Sequence, residues 1–425
     1  MQFRARIAEK LAGCCPTQIE EVTRQSSIFF DRRWFSMLES LDLSELLGGA
    51  AELKYVVVES LDDGSIVALC PFLVCLDANI YGHYNLTKLF FLSWPIQAAR
   101  LHPGLAPVIH SLGALTRGFH SLVRSVGVRF DACVIAVSAL SNRGGLVLNP
   151  FLSQPQRRLV IHTAIRSLKE LAREQSRVLC FLAIDEAQSL LRAELNKAEF
   201  TEVFQINDHF LPLAGLASSD DYLLRFRSKG RNVVKREIRA VRQAGIEFRY
   251  IQEIDSIAPE LARLYENTYG RYGGEYFRHP ATFWSTLAKH LGPCSCALAA
   301  YRGRQLAGFS LLLKKDVLWI YRVGRLYDQS LRGLYFNLTF YQPIQYAIEQ
   351  GLERIWLGPA ASEAKHARGG YGHALYTYLW FPRRHQRWLL RPYLDIYSRT
   401  SRLFQARDSH PTSSLHDSGS KKRSP

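Results

Sequence analysis

A short stretch near the end of the chain, residues 358–372 with His373 directly after it, carries ionisable side chains among glycines and alanines: Glu363, Lys365, His366, Arg368 and His373. Small residues let a ligand approach the backbone closely, a carboxylate or imidazole can accept a proton, and a cation can hold developing negative charge. The stretch therefore has the residue types of a reaction site. The alternative is an ion pair of Glu363 with Lys365 or Arg368 that only fixes the loop.

A strongly basic segment over 220–244 is predicted to form one long helix. Apolar residues recur along it at steps of three and four, beside a separate ridge of cations: Arg227, Arg231, Lys235, Arg239 and Arg242. Like charges at this spacing repel by a few tenths of a kcal/mol per pair, so the ridge suggests a polyanionic partner such as tRNA, CoA phosphates or lipid head groups. The alternative is a solvated face whose carboxylates come from elsewhere in the fold. We expect the ridge and residues 358–372 to share one cleft.

The composition narrows the class of protein. Among 425 residues, 54 Lys and Arg against 38 Asp and Glu leave a net charge of +16, which favours an anionic partner. No apolar run reaches the ~18–20 residues that span a bilayer, and no secretory leader is evident, so a cytoplasmic location is expected. The eight cysteines form no disulfide or zinc pattern, and no metal site is predicted. His279 and His290 are expected at the surface.

The fold that must position these residues is predicted to be mixed α/β, with a mixed sheet. A similar order of helix, hairpin, strand, helix and strand occurs in both halves, which indicates a duplicated unit. The predicted divisions are a first unit over 1–215, a second over 216–385, a C-terminal helix over 386–408 that breaks near Pro392, and a disordered tail over 409–425.

Three segments carry a family resemblance: Leu224-Arg-Phe-Arg-Ser-Lys-Gly-Arg-Asn-Val-Val-Lys-Arg-Glu-Ile, Phe340-Tyr-Gln-Pro-Ile-Gln-Tyr-Ala-Ile-Glu-Gln-Gly-Leu and Leu357-Gly-Pro-Ala-Ala-Ser-Glu-Ala-Lys-His-Ala-Arg-Gly. Together they resemble the FemAB-like proteins of the GNAT acyltransferase superfamily, in the peptidoglycan-biosynthesis-like branch, most clearly over 220–380. That branch carries Glu, Lys and Arg-Gly at the spacing of Glu363, Lys365 and Arg368-Gly, and it usually has His where this chain has Ala364. The resemblance implies tandem GNAT-like domains, the first of them degenerate.

The resemblance also implies an activity. It is that of an acyltransferase, which moves an acyl or aminoacyl group from acyl-CoA or aminoacyl-tRNA directly to an amine of a small molecule or peptide. Either donor would be a co-substrate, and no tightly bound cofactor is expected. The alternative is a non-catalytic protein that binds an anion or a partner on a degenerate GNAT scaffold.

Roles for individual residues follow from this resemblance. Glu363 or a nearby His would deprotonate the amine, Lys365 or Arg368 would stabilise the oxyanion, and a Tyr such as Tyr321 would protonate the leaving group. The residues expected to hold the donor's phosphates are Arg322, Arg325, Arg332, Gly333, Arg227, Arg231 and Lys235. The expected partners are an amine-bearing acceptor and tRNA. The Arg- and aromatic-rich segment 383–407 is expected to pack on the core, and the alternative is that it contacts a membrane surface or a nucleic acid.

Overall fold

The computed structural model describes residues 2–76, 80–92, 106–271, 277–359 and 361–409. Their strands form one sheet of thirteen strands. The strands of the first half are β1 (Phe3–Ala8), β2 (Ala51–Ser60), β3 (Ile66–Cys75), β4 (Cys133–Ala136), β5 (Val147–Leu148), β6 (Val178–Asp185) and β7 (Thr201–Pro212). Those of the second half are β8 (Ile246–Ile251), β9 (Ser295–Arg302), β10 (Gln305–Lys314), β11 (Leu318–Arg325), β12 (Arg354–Gly358) and β13 (Tyr371–Trp380).

Helices cover both faces of this sheet. In the first half they are α1 (Pro16–Thr23), α2 (Arg32–Glu39), α3 (Leu43–Leu47), α4 (Ala106–Ser125), α5 (Gln154–Glu174) and α6 (Ser189–Lys197). In the second half they are α7 (Ser219–Leu224), α8 (Ser228–Gln243), α9 (Ala258–Gly270), α10 (Ala281–Leu291), α11 (Leu334–Phe336), which runs through a π-helical turn (Asn337–Tyr341) into α12 (Gln342–Glu349), and then α13 (Ser362–His366) and α14 (Arg384–Ser409).

The predicted duplication is confirmed by the pairing of the strands. The sheet order is β1-β2-β3-β4-β6-β13-β7-β12-β11-β10-β9-β8, with β5 beside β3. In each half an antiparallel meander, β1 to β4 or β8 to β11, is followed by one parallel pair, β4 with β6 or β11 with β12. The fold is therefore a tandem of two α/β units with the same strand arrangement.

The halves are joined by an exchange of strands at the centre of the sheet. Strand β13 leaves the second half and pairs with β6 of the first, while β7 of the first half pairs with β12 of the second. β7 and β13 also pair with each other. The division at residues 215 and 216, between β7 and α7, remains a proposal, and this exchange means that each half contains a strand of the other.

The core also crosses the seam between the halves. On one face a single cluster of buried side chains runs from Trp34 in the first half to Trp284 and Trp319 in the second. On the other face there are two clusters, one beneath α5 and one beneath α8 and α12. The seam is thus apolar and continuous on one side, where charged groups can be buried only in pairs.

Two helix predictions differ from the structure. The basic segment forms α7 and α8 with a turn between them, because Arg227 has an extended backbone and begins α8. The C-terminal helix runs from Arg384 to Ser409 with Pro392 inside it instead of breaking there. Pro392 is exposed, so water can bind the carbonyl that loses its helical donor. From residue 410 the predicted disordered tail lies outside the described residues.

Candidate active site

A cavity of about 470 Å³ lies at the seam, beyond the carboxyl ends of β4 and β6. The first half supplies Arg143, Gly145 and Asp185 to its wall, and the second supplies Trp319 and His373. We call it the seam cavity. The carboxyl ends of parallel strands are the usual place for ligands in α/β sheets, and this volume lies in the ordinary range of about 300–1,000 Å³ for ligand pockets.

The turn after β4 brings Arg143 to this cavity. Ser138 N–H donates to the Arg143 carbonyl (2.8 Å), and Arg143 N–H donates to Ser141 Oγ (3.1 Å). At the next residue, Gly144, a Cβ would overlap the carbonyl oxygen of Leu182 in β6. A glycine is required there because the turn lies directly on the neighbouring strand.

Arg143 is the centre of a buried charge network. Its guanidinium pairs with Asp208 of β7 and lies 3.4 Å from Asp185. The same group lies over the ring of Trp319, 5.0 Å from its centroid. Asp208 is 1% exposed and also accepts a hydrogen bond from Trp356 Nε1 (2.6 Å). Burial raises the pKa of Asp208, and the charge of Arg143 opposes that shift.

A carboxylate and an imidazole face each other on the cavity wall. Asp185 Oδ1 lies 3.7 Å from His373 Nδ1, and both side chains keep some exposure, 16% and 23%. Glu186 is a second carboxylate close to the ring, at 3.8 Å. An imidazole beside carboxylates, open to a cavity, can take a proton from a bound amine.

Lys365 lies behind the cavity and is not part of its wall. It is 5% exposed, and its Nζ donates to the carbonyl of Gly358 (2.6 Å), which also accepts from His209 Nδ1 (3.2 Å). Burial lowers the pKa of Lys365 to about 7, although Asp208 opposes the shift, and burial with the nearby Lys365 lowers the pKa of His209 to about 4. Lys365 therefore reaches the cavity only through the field it exerts on Asp208.

Arg368 fixes the loop at 358–372 against α8. Its Nη2 contacts both carboxylate oxygens of Glu237 (2.9 Å each), its Nε donates to Tyr341 Oη (3.1 Å), and its guanidinium lies 3.6 Å from the ring centroid of Phe336. Glu363 is exposed, and within the described part of the chain it pairs with neither Lys365 nor Arg368. The loop is held in place, but not by the ion pairs that the sequence suggested.

Tyr321 and Arg322 lie apart from this loop, and both support the turn after β4. Tyr321 Oη and Arg322 Nη2 donate to the same carbonyl, that of Leu140, at 3.0 and 3.1 Å. Burial raises the pKa of Tyr321 to about 12. Arg322 Nε donates to Nε2 of His279, which is buried, so the expectation that His279 lies at the surface is wrong.

The other residues predicted to hold phosphates lie outside the seam cavity. Gly333 lies against α8, where a Cβ would come within 2.8 Å of the Glu237 carbonyl oxygen. Arg325 stacks on Tyr327, with 4.1 Å between guanidinium and ring centroid, and Arg332 is exposed. Close packing against α8 therefore explains the glycine at position 333 without a bound phosphate.

The basic ridge on α8 comprises Arg227, Arg231, Lys235, Arg239 and Arg242. All are exposed except the half-buried Arg231, and none forms an ion pair within the described ranges. Glu237, which binds Arg368, is two residues from Lys235 and Arg239 and so about 160° away around the helix. The loop therefore meets α8 through its acidic residue, and the ridge does not share a cleft with the loop.

Sequence reasoning missed the network around Arg143, Asp185 and Asp208. Two signals for it were present. Gly144-Gly145 follows a predicted strand, and Asp208 interrupts the apolar strand character of β7. A buried charge within a strand needs a partner, but nothing local in the sequence identifies Arg143 as that partner.

Comparison with known families bears on what this arrangement does. The FemAB_like model, described as peptidoglycan biosynthesis/recognition, matches residues 144–409, more than half of the chain. The chain belongs to the FemAB_like family. The FemAB_like match includes Asp185, Asp208 and His373 as well as the loop at 358–372, and membership of this family supports a transferase enzyme.

Solved structures show the same fold. FemX has a TM-score of 0.51 at 9% identity, covering 88% of this chain and 98% of that chain. The C-terminal domain of a putative lysylphosphatidylglycerol synthetase from Agrobacterium fabrum has a TM-score of 0.50 at 12% identity, covering 90% and 96%. A search of the curated proteins finds no match. Within the described ranges no helix has both the length and the hydropathy needed to cross a bilayer, and no three His, Cys, Asp or Glu side chains are grouped to hold a metal.

Proposed function

We propose that this protein transfers an acyl or aminoacyl group to the amine of a small molecule or peptide, and that the transfer takes place in the seam cavity. The observation that carries the proposal is the meeting of Asp185, His373 and Arg143 on one wall of a cavity between the two halves. Its supporting argument is general: acyl transfer to an amine needs a proton acceptor and a cation near the carbonyl.

The proposed reaction is a direct displacement. His373, with Asp185 beside it, takes a proton as the amine nitrogen attacks the acyl carbonyl and forms the C–N bond. Arg143 faces the negative charge that develops on the carbonyl oxygen. The C–S or C–O bond to the donor then breaks, and the leaving thiolate or ribose oxygen accepts the proton from His373.

Lys365 and Arg368 stabilise the fold in this proposal and do not contact the reacting groups. Arg368 holds the loop at 358–372 on α8, and Lys365 joins that loop to Gly358 at the end of β12. Asp208 interacts with the charge of Lys365 and also pairs with Arg143, which lines the cavity. Lys365 itself does not contact the substrate in this proposal. Glu363, which is exposed, and Tyr321, which donates to the Leu140 carbonyl, have no role in the proposed reaction.

Two features, the packing at Gly333 and the basic ridge on α8, favour aminoacyl-tRNA over acyl-CoA as the donor. A phosphate cradle at Gly333 would require the backbone of α8 to move, because Glu237 already lies against it. The basic ridge, by contrast, is a row of mostly exposed cations that form no ion pair with the described residues, and such a row suits a nucleic-acid backbone. Acyl-CoA is the alternative donor, and the assay below tests it. A cytoplasmic location is still a prediction.

The test is a donor assay with the full chain. Purified protein is given a pool of amino acids, amino sugars and short peptides as acceptors, with either charged tRNA or acyl-CoA carrying a labelled acyl group. We expect labelled amide from charged tRNA, lost in Asp185→Asn and His373→Gln but retained in Glu363→Gln, which removes an exposed carboxylate outside the cavity wall. If only acyl-CoA supports labelling, aminoacyl-tRNA is not the donor. If the Asp185 and His373 variants form product at the wild-type rate, the seam cavity is not the site of transfer.

A further inference from the structure

Helix α14 lies across the outside of the sheet and has one well-packed side. Its inner side buries residues at steps of three and four: Gln386, Leu390, Leu394, Tyr397 and Ser401. Tyr393 stacks on Phe91 at a centroid distance of 5.0 Å, and Ser398 accepts a hydrogen bond from the backbone of Phe204. The helix is therefore firmly seated, and its opposite side is fixed relative to the enzyme.

That opposite side exposes large apolar side chains. Trp388 is 81% exposed, Ile396 62% and Leu403 65%. Their spacing of eight and seven residues places all three within about 80° of one another around the helix. A row of apolar side chains this exposed, on a helix whose other face is already packed, is an interaction surface and not a part of the core.

Arginines accompany this row along the helix. Arg384, Arg391 and Arg399 are exposed and form no ion pair within the described part of the chain, and Asp395 is the single acidic residue among them. Cations beside Trp, Ile and Leu form the pattern of a helix that lies in a membrane interface, with its apolar side chains among the acyl chains and its guanidinium groups at the head groups.

We propose that this face of α14, Trp388, Ile396 and Leu403 with Arg384, Arg391 and Arg399, binds the surface of an anionic membrane. A second copy of the chain fits less well, because a two-fold contact would bring the same arginines against each other. A nucleic acid would use the arginines but would gain little from Ile396 and Leu403, which offer neither charge nor an aromatic face. The inference is independent of the reaction in the seam cavity.

The experiment is sedimentation of the full-length protein with vesicles of phosphatidylcholine alone or with about a third phosphatidylglycerol. We expect binding at least about tenfold tighter to the anionic vesicles. The triple variant Trp388→Ser, Ile396→Ser, Leu403→Ser and the triple variant Arg384→Gln, Arg391→Gln, Arg399→Gln should each lose at least about tenfold. Circular dichroism confirms that each variant is folded.

Matched control variants remove the same chemistry elsewhere. Phe151→Ser, Leu61→Ser and Leu122→Ser remove three exposed apolar side chains, and Arg236→Gln, Lys289→Gln and Arg304→Gln remove three exposed charges. We expect less than about a twofold change from either set. An equal loss from the controls would overturn the assignment to α14, since binding would then follow net charge or general hydrophobicity.

Two further measurements test the proposal even if a triple variant does not fold. Brominated lipids should quench the fluorescence of the wild type on anionic vesicles and leave Trp388→Phe unaffected. Light scattering should show the same mass for both proteins without vesicles. Absence of quenching, a change of oligomeric state on removing Trp388, or RNA binding that requires this face while vesicles do not bind would each overturn the proposal.

Discussion

The parallel strand pairs β4–β6 and β11–β12 occupy equivalent places in the two halves, and the space beyond them is used in opposite ways. Beyond β4 and β6 the chain opens into the seam cavity, with Asp185 and His373 on its wall. Beyond β12 the corresponding space is filled, because Arg368 pairs with Glu237 and Lys365 donates to Gly358. One end holds space for a ligand, and the other holds a network of protein groups.

This difference explains why the recognisable residues and the cavity are in different places. Buried charges must be paired and hydrogen-bonded, so filling the second half demands matched residues at set positions, such as Lys365 and Arg368. The polar groups of the seam cavity, such as Gln25, Asp185 and Arg354, come instead from separate segments of the chain and need not be matched in pairs, because they face an open space. The regular pattern in the sequence therefore marks the packed end, and the cavity depends on Gly144 and a few separated side chains.

The largest expected effect is on catalysis at the open end. Asp185→Asn or His373→Gln should lower kcat by about 10²–10⁴-fold because proton transfer from the amine is lost. The free energy of unfolding should change by less than about 1 kcal/mol, because Asn keeps a hydrogen-bond acceptor for Arg143, Arg143 still pairs with Asp208, and His373 is partly exposed. Turnover measured beside urea unfolding, with Glu363→Gln as control, tests this. A large loss of stability with normal turnover would show that Asp185 and His373 support the fold and not the reaction.

Arg368→Met should show the opposite behaviour at the filled end. It leaves Glu237 without its counterion, and we expect a loss of about 3–5 kcal/mol in the free energy of unfolding. Glu237→Gln in the same chain should restore part of that loss. Urea unfolding of the four proteins of this double-mutant cycle measures the coupling, and Arg332→Met, at an exposed site, is the control.

The turnover of Arg368→Met per folded molecule shows whether the reaction site is the seam cavity or the loop at 358–372. We expect it to stay within about threefold of the wild type, because Arg368 contacts Glu237 and Tyr341 but not the seam cavity. If turnover is abolished in a variant that is still folded, the reaction site lies at the loop and the seam cavity is secondary.

Lys365 should give the packed end a distinct pH dependence. Burial lowers the pKa of Lys365 to about 7 from 10.5, so between these values the unfolded chain binds more protons than the folded one. Stability from this group therefore rises with pH across that window, by up to a few kcal/mol, and is at its lowest below it. Lys365→Met should flatten the rise, as measured by urea unfolding at about pH 6.5, 8 and 9.5. Parallel curves for variant and wild type would contradict this.

The smallest effect concerns close packing at Gly333. Gly333→Ala should cost about 1–3 kcal/mol because the residue has a φ of 84° and its Cβ would press on the Glu237 carbonyl. Gly351→Ala has a similar φ of 67° but open space around it, so it should cost no more than about 1 kcal/mol. Thermal unfolding compares the two, and an equal cost would mean that α8 can yield to admit a phosphate at this loop.

Local features of the sequence allowed the α/β class, the duplicated order of elements and the exposed ridge of α8 to be predicted. These depend on periodicity, and periodicity is set by the geometry of a helix or strand whatever surrounds it. The same reasoning failed at Arg227, where a turn divides the basic segment, and at His279, which is buried. At His279 a tertiary contact decided the outcome, because Arg322 donates a hydrogen bond to its ring.

What only the tertiary structure decided is which charged groups meet. Arg368 finds Glu237 across 131 residues, and Arg143 finds Asp208 across 65. His373 reaches Asp185 because β13 leaves its own half and pairs with β6. Residue types and spacing determine the chemistry each side chain can perform, but strand order and register place these partners side by side, and both are properties of the whole chain.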